Sequence, residues 1–114
     1  MSSKLDELLG KYATHIREKF GATPDMELLE KVAKGLGPAI YNRDASTVSG
    51  TDEKELETVK NNFLLKKLGL QEGPELMGAV KQTMTTYGVS ERTKYRAVVY
   101  YMLARHFGAE GIYE

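Results

Sequence analysis

Two histidines, His15 and His106, are the side chains best suited to move a proton near neutral pH. Neither stands in a pattern that requires it. No second His or carboxylate completes an H-x-x-x-H or H-E-x-x-H spacing, which a zinc site on a helix would need. His106, in the last turn of an expected helix, suits the negative end of the helix dipole. The chain has no cysteine, so thiolate ligands, Cys nucleophiles and disulfides are excluded. Asn42, Asp44 and Ser46 alternate like the oxygen donors of a cation loop. They lack the glycine that a calcium loop carries at its sixth position. Asp44 with Ser46 or Thr47 reads more simply as a turn in which side chains bond their own backbone. Gly35-Leu36-Gly37 is followed by Pro38, which removes a phosphate-cradling N–H, and no Lys-Ser/Thr pair follows.

The remaining chemistry-bearing residues form two groups. Tyr41, Arg43 and Asp44 lie in or beside the polar stretch 42–51 and are candidate ligand contacts there. Arg92, Tyr95 and Arg96 follow at helical spacing. An aromatic face flanked by arginines could stack a base or hold an anion. Tyr95, Tyr100 and Tyr101 read first as core tyrosines whose hydroxyls reach outward. The segment Tyr87-Gly-Val-Ser-Glu-Arg-Thr-Lys-Tyr-Arg96 is similar to the turn and recognition-helix start of helix-turn-helix DNA readers. It departs from them in three ways. Met84 replaces the small residue at the helix crossing, and Lys94 stands where such motifs bury Val or Ile. The helix also becomes wholly apolar from Ala97.

These residues need a scaffold, and 114 residues fit one domain. A chain of this size buries roughly 65% of its unfolded surface, enough for a core without staples. It is 41% hydrophobic and 28% charged, ordinary for a folded protein. Sixteen Lys and Arg balance sixteen Asp and Glu, so the basic footprint of a nucleic-acid binder is missing. The longest apolar run, residues 97–104, is too short to span a membrane. The N-terminal residues do not read as a signal peptide. A cytoplasmic location is expected.

Apolar spacing predicts five helices, near 4–20, 24–34, 52–68, 74–87 and 90–107, with 38–51 irregular. Ser2 or Ser3 should cap the first, and Gly21 should end it. Its stripe is Leu5, Leu8, Leu9, Tyr12, Ile16 and Phe20. Thr23 and Pro24 should open the second at N-cap and N1, with Met26, Leu29, Val32 and Ala33 buried and Leu28 marginal. Thr51 should cap the third, which ends at Gly69 and Leu70. Pro74 opens the fourth and Gly88 closes it, with Val89 folding back on Met84. Ser90 should cap the fifth, whose core contacts are Val98, Val99, Met102 and Leu103. Ile112 and Tyr113 should dock loosely or fray.

Three stretches also carry a family resemblance: Gly35–Val48, Leu56–Leu70 and Lys94–Gly108. They resemble a family of short bacterial proteins known as domain of unknown function 2853. The resemblance implies a stand-alone helical protein from bacteria. It implies no activity and transfers no catalytic residue.

The expected fold is therefore all-α, a single domain of about five helices packed around a C-terminal apolar helix. The leading functional expectation is a small cytosolic interaction or accessory protein without catalysis, cofactor or metal. Its partner would be a second copy of itself or another protein. The alternatives are a helix-turn-helix-like nucleic-acid binder using the last two helices, and a ligand-binding domain or enzyme using residues 42–51.

Overall fold

The computed structural model describes residues 3–113. It is all-α: α1 Lys4–Phe20, α2 Met26–Leu36, α3 Glu53–Thr58, α4 Pro74–Tyr87 and α5 Arg96–His106. α3 runs directly into a π-helical stretch, Val59–Lys67, and short 3₁₀ turns cover Gly37–Tyr41 and Glu110–Tyr113. α5 lies at the centre, in contact with α1, α2 and α4. Ala97, Val98, Val99, Tyr100, Tyr101, Leu103 and Ala104 are all buried, so no side of this helix is free to be polar. Each large apolar side chain buried here contributes roughly 1.5–3 kcal/mol. Met102 is only half-buried.

Local chemistry sets most of the helix ends. Ser3 caps α1 in a reciprocal capping box with Asp6, while Ser2 lies outside the described residues. Gly21 ends α1 in the left-handed conformation, and the Ala22 N–H closes back on the Ile16 carbonyl at 3.3 Å. Leu9, Tyr12, Ala13 and Ile16 are buried along the expected stripe. α4 keeps its expected bounds, with Pro74 in the first turn and Gly88 past the end. Leu70 N–H reaches the Leu64 carbonyl at 3.0 Å across Gly69, the expected stop after the third helical segment.

Four expectations are corrected. α2 begins at Met26, because the Asp25 carboxylate takes the Leu28 N–H and becomes the N-cap in place of Thr23. Tyr101 on α5 fixes that start by accepting the Asp25 N–H at 2.8 Å. Met26 is then 42% exposed and Leu28 buried, since at about 100° per residue Met26 lies roughly a quarter-turn from the centre of the Leu28, Leu29, Val32 and Ala33 face. Asp52 rather than Thr51 caps α3, holding the Lys54 N–H. The third segment is α-helical only to Thr58. Beyond it the Leu68 N–H bonds the Phe63 carbonyl five residues back, and Phe63 stacks on Tyr100 with ring centres 4.0 Å apart.

The fourth correction matters most. The last helix starts at Arg96, not Ser90, and residues 88–95 form a non-helical strap that opens with a turn, the Glu91 N–H on the Gly88 carbonyl at 3.0 Å. Gly88 takes φ 123°, ψ 118°, a conformation that favours glycine but does not turn the chain back as a Schellman ending does. Val89 is consequently 78% exposed instead of folded onto Met84. At the far end of the strap, Thr47 and Tyr95 pair as an isolated antiparallel bridge. Val48 N–H bonds the Lys94 carbonyl at 2.8 Å, and Arg96 N–H bonds the Ser46 carbonyl at 2.9 Å. The first N–H of α5, which no helical carbonyl can take, is satisfied by the loop.

The irregular stretch 38–51 is thus partly ordered by α5. The chain end is ordered too: Tyr113 is half-buried against the core, with the Lys67 ammonium 5.4 Å from its ring centre, while Ile112 stays exposed. Among the described residues no helix is long and apolar enough to cross a membrane.

Candidate functional site

Arg96 is the post to which the loop is tied. Its Nε donates to the Ala45 carbonyl at 2.9 Å and a terminal nitrogen to the Thr47 carbonyl at 3.5 Å. The same guanidinium lies 3.8 Å from the Glu55 carboxylate of α3 and 5.9 Å from the centre of the Tyr100 ring. Its side chain is only 14% exposed. A rigid five-donor fork suits such a junction, because it serves several acceptors at once.

Between the loop so fixed and the strap opens a cleft of two adjoining lobes. Both are walled by Gly50, Thr51, Val89 and Lys94. The first, of about 300 Å³, has Leu56 and Met84 among its walls and is mostly apolar, with Glu53 and Lys81 also on its wall. The second, of about 360 Å³, is polar, with Asp44, Ser49, Glu55, Glu91 and Arg92 around it. Lys94 stands on the wall of both. It is 5% exposed, the one charged residue buried among those described, and its ammonium donates to the Glu91 carbonyl. The strap therefore buries Lys94 at the position where a DNA-reading helix would bury Val or Ile. Gly50 makes room for it: a Cβ there would sit 3.1 Å from Lys94 Cε.

The carboxylates of this cleft are largely spoken for. Glu91 pairs with Lys19 at 3.1 Å, Glu53 with Lys81 at 3.4 Å and Glu55 with Arg96. The Thr93 N–H and then Lys19 hold Glu91 below the usual carboxylate range. Among the described residues Lys94, Arg92 and Asp44 take part in no ion pair.

On the other side of the strap His15, Tyr87 and the Tyr95 N–H satisfy one another. The Tyr87 hydroxyl accepts the Tyr95 N–H at 3.2 Å. It also hydrogen-bonds His15 Nδ1 at 2.5 Å, a bond whose donor is set by the imidazole tautomer. Burial lowers the His15 pKa, with Glu91 and Glu18 opposing and Lys19 assisting. Burial likewise raises Tyr87 well above the usual phenol range. Tyr95 packs edge-on against Tyr12 at 5.0 Å and tilted against His15 at 5.1 Å. Tyr12 is fully buried, its hydroxyl has no hydrogen-bond partner, and burial pushes its pKa up to about 12.

The six residues singled out from the sequence are therefore divided. Asp44 and Arg92 meet at the polar lobe. Arg96 sits behind it as a support. Tyr95 turns to the His15 side, and Tyr41 lies by α1 with Lys4 and Lys11. Arg43 is exposed and borders none of these clefts. The face of Arg92, Lys94 and Arg96 that a recognition helix would expose does not exist, because only Arg92 is exposed and residues 90–95 are not helical. Lys94, Gly50, Leu56 and Met84 went unread as site residues. The available signal was a lysine inside an otherwise helix-hub segment, facing a loop of small residues.

Residues 11–111 match the family model described as "Protein of unknown function (DUF2853)", and the chain belongs to that family. No curated protein matches it.

Proposed function

We propose that this family member is a small non-catalytic binding domain that works through the cleft between residues 44–51 and the strap 88–95. One observation carries the reading: an irregular loop is fixed by Arg96 and the Thr47–Tyr95 bridge, so the cleft walls exist before any ligand arrives. Binding to preformed walls avoids the ordering cost that a free loop would incur. The domain acts as an accessory protein in the cytoplasm, and the lack of cysteine suits that reducing compartment. Among the described residues the large exposed apolar ones are Met26, Tyr41, Val89 and Ile112, on four separate elements, and of these only Val89 borders the cleft. Self-association is thus secondary to the cleft in this reading.

The test is an amide-shift screen of the ¹⁵N-labelled chain with a library of small fragments of mixed charge. Binders should move Gly50, Thr51, Val89 and Lys94 together. Binders that gather instead at the His15 side or at the Met26 end of α2 would overturn the reading.

A further inference from the structure

We infer that the cleft takes a small organic monoanion, a carboxylate carrying a short aliphatic group, with its charged head at Lys94 and Arg92. This rests on the cleft being the working site. The charge balance points to the head group. The glutamates on the walls are each neutralised by a cation of the fold: Lys19 for Glu91, Lys81 for Glu53 and Arg96 for Glu55. What is left unpaired is Lys94 and Arg92 against Asp44, two positive charges and one negative, a surplus of one. A single negative charge completes that set. A second negative charge, as on a dianion, would overfill it and stand unpaired beside Asp44.

Lys94 is built for the contact. An ammonium has three N–H donors, and one goes to the Glu91 carbonyl. Two remain on a side chain that is 5% exposed yet forms the wall shared by both lobes. A buried cation with unused donors gains more from an anion than a solvated surface lysine does, since the charge is poorly screened there. The other half of the ligand follows from the apolar lobe, where Leu56, Met84 and the exposed Val89 offer surface for a few methylenes. Lys94 stands at the junction, so one molecule can place its carboxylate there and lay its tail along the apolar wall.

The experiment compares three six-carbon probes, hexanoate, hexanol and hexylammonium, by amide shifts of the full ¹⁵N-labelled chain at neutral pH. Hexanoate should produce saturable shifts at Gly50, Thr51, Val89 and Lys94 with a Kd on the order of 1 mM, where a ligand this small is expected to fall. Hexanol should bind at least about tenfold more weakly at the same amides, and hexylammonium should move none of them. Lys94→Met keeps the aliphatic stem and removes the charge. It should weaken hexanoate at least about tenfold and leave hexanol unchanged. If that variant does not fold, Arg92→Gln at an exposed position serves instead, with an expected loss of about threefold. Equal binding of hexanol or hexylammonium overturns the anion and leaves the cleft as the site. Saturable shifts from none of the three probes overturn the cleft itself.

Discussion

α5 and the strap before it are continuous in sequence and held by opposite means. Residues 97–104 are secured by apolar burial from three other helices. Residues 88–95 are secured by a few directed bonds: Tyr87 to the Tyr95 N–H, Lys94 to the Glu91 carbonyl, and the paired backbone at Val48 and Lys94. Burial is non-directional and summed over many atoms. A handful of hydrogen bonds is directional, and each is worth about 1 kcal/mol net. The first arrangement makes a hub that tolerates no charge. The second makes a wall that can be placed with accuracy.

Val99→Asp should damage the hub most severely. An unpaired carboxylate in the fully buried middle of α5 should cost more than about 4 kcal/mol and abolish the cooperative thermal transition, read by circular dichroism. A variant that keeps native helicity and melting temperature refutes the hub. Arg96→Met should cost about 2–3 kcal/mol by denaturant unfolding, the loss of charge-assisted bonds to Ala45 and Thr47. Hydrogen exchange should accelerate at residues 45–48 and 94–96 while the α1 and α2 amides stay protected. Uniform acceleration would erase the division between hub and strap. Tyr87→Phe removes the acceptor of the Tyr95 N–H and the hydrogen bond to His15, with an expected loss of about 1–2 kcal/mol.

A pH titration sharpens the same boundary. The unfolded His15 imidazole titrates near its ordinary value of about 6.5, and the folded one lower. Folding therefore favours the neutral ring. Its contribution is complete above about pH 6.5 and is lost as pH falls from there through the folded value. His15→Gln should flatten that part of the stability curve, measured by urea midpoints between about pH 7 and 5. The smallest effect is expected at Tyr12. Its hydroxyl is buried without a partner, so Tyr12→Phe should leave stability unchanged or raise it by up to about 1 kcal/mol.

The hub was readable from residues 97–104, because a helix apolar on every side has only one place to go. The ends of α1 and α4 were readable because Ser3, Gly21, Pro74 and Gly88 act within one turn of themselves. The strap was not. Ser90 followed by Glu91 imitates a helix start, and Lys94 and Arg96 are good helix formers. What overrides them is supplied by Ser46 and Val48, far along the chain, whose backbone groups bond the strap end. The same distance hid the site. Asp44 and Arg92 could each be suspected separately, but no local pattern places Gly50 against Lys94. Nor does any local pattern place Phe63, in the π-helical stretch, against Tyr100 of another helix.

The seam between Arg96 and the 45–47 loop also bears on the order of folding. The Arg96 hydrogen bonds join residues 51 and 49 positions apart, while the hub joins α5 to α1, α2 and α4 by apolar packing. Apolar burial repays the long loops that packing α5 on its neighbours must close, whereas the seam repays its own loop with only a few bonds. The helices should therefore associate first and the seam should zip last. By microscopic reversibility it is also the first part to open under native conditions. The cleft would then be made at the final step of folding, and an occupant would slow its opening without speeding the assembly of the hub.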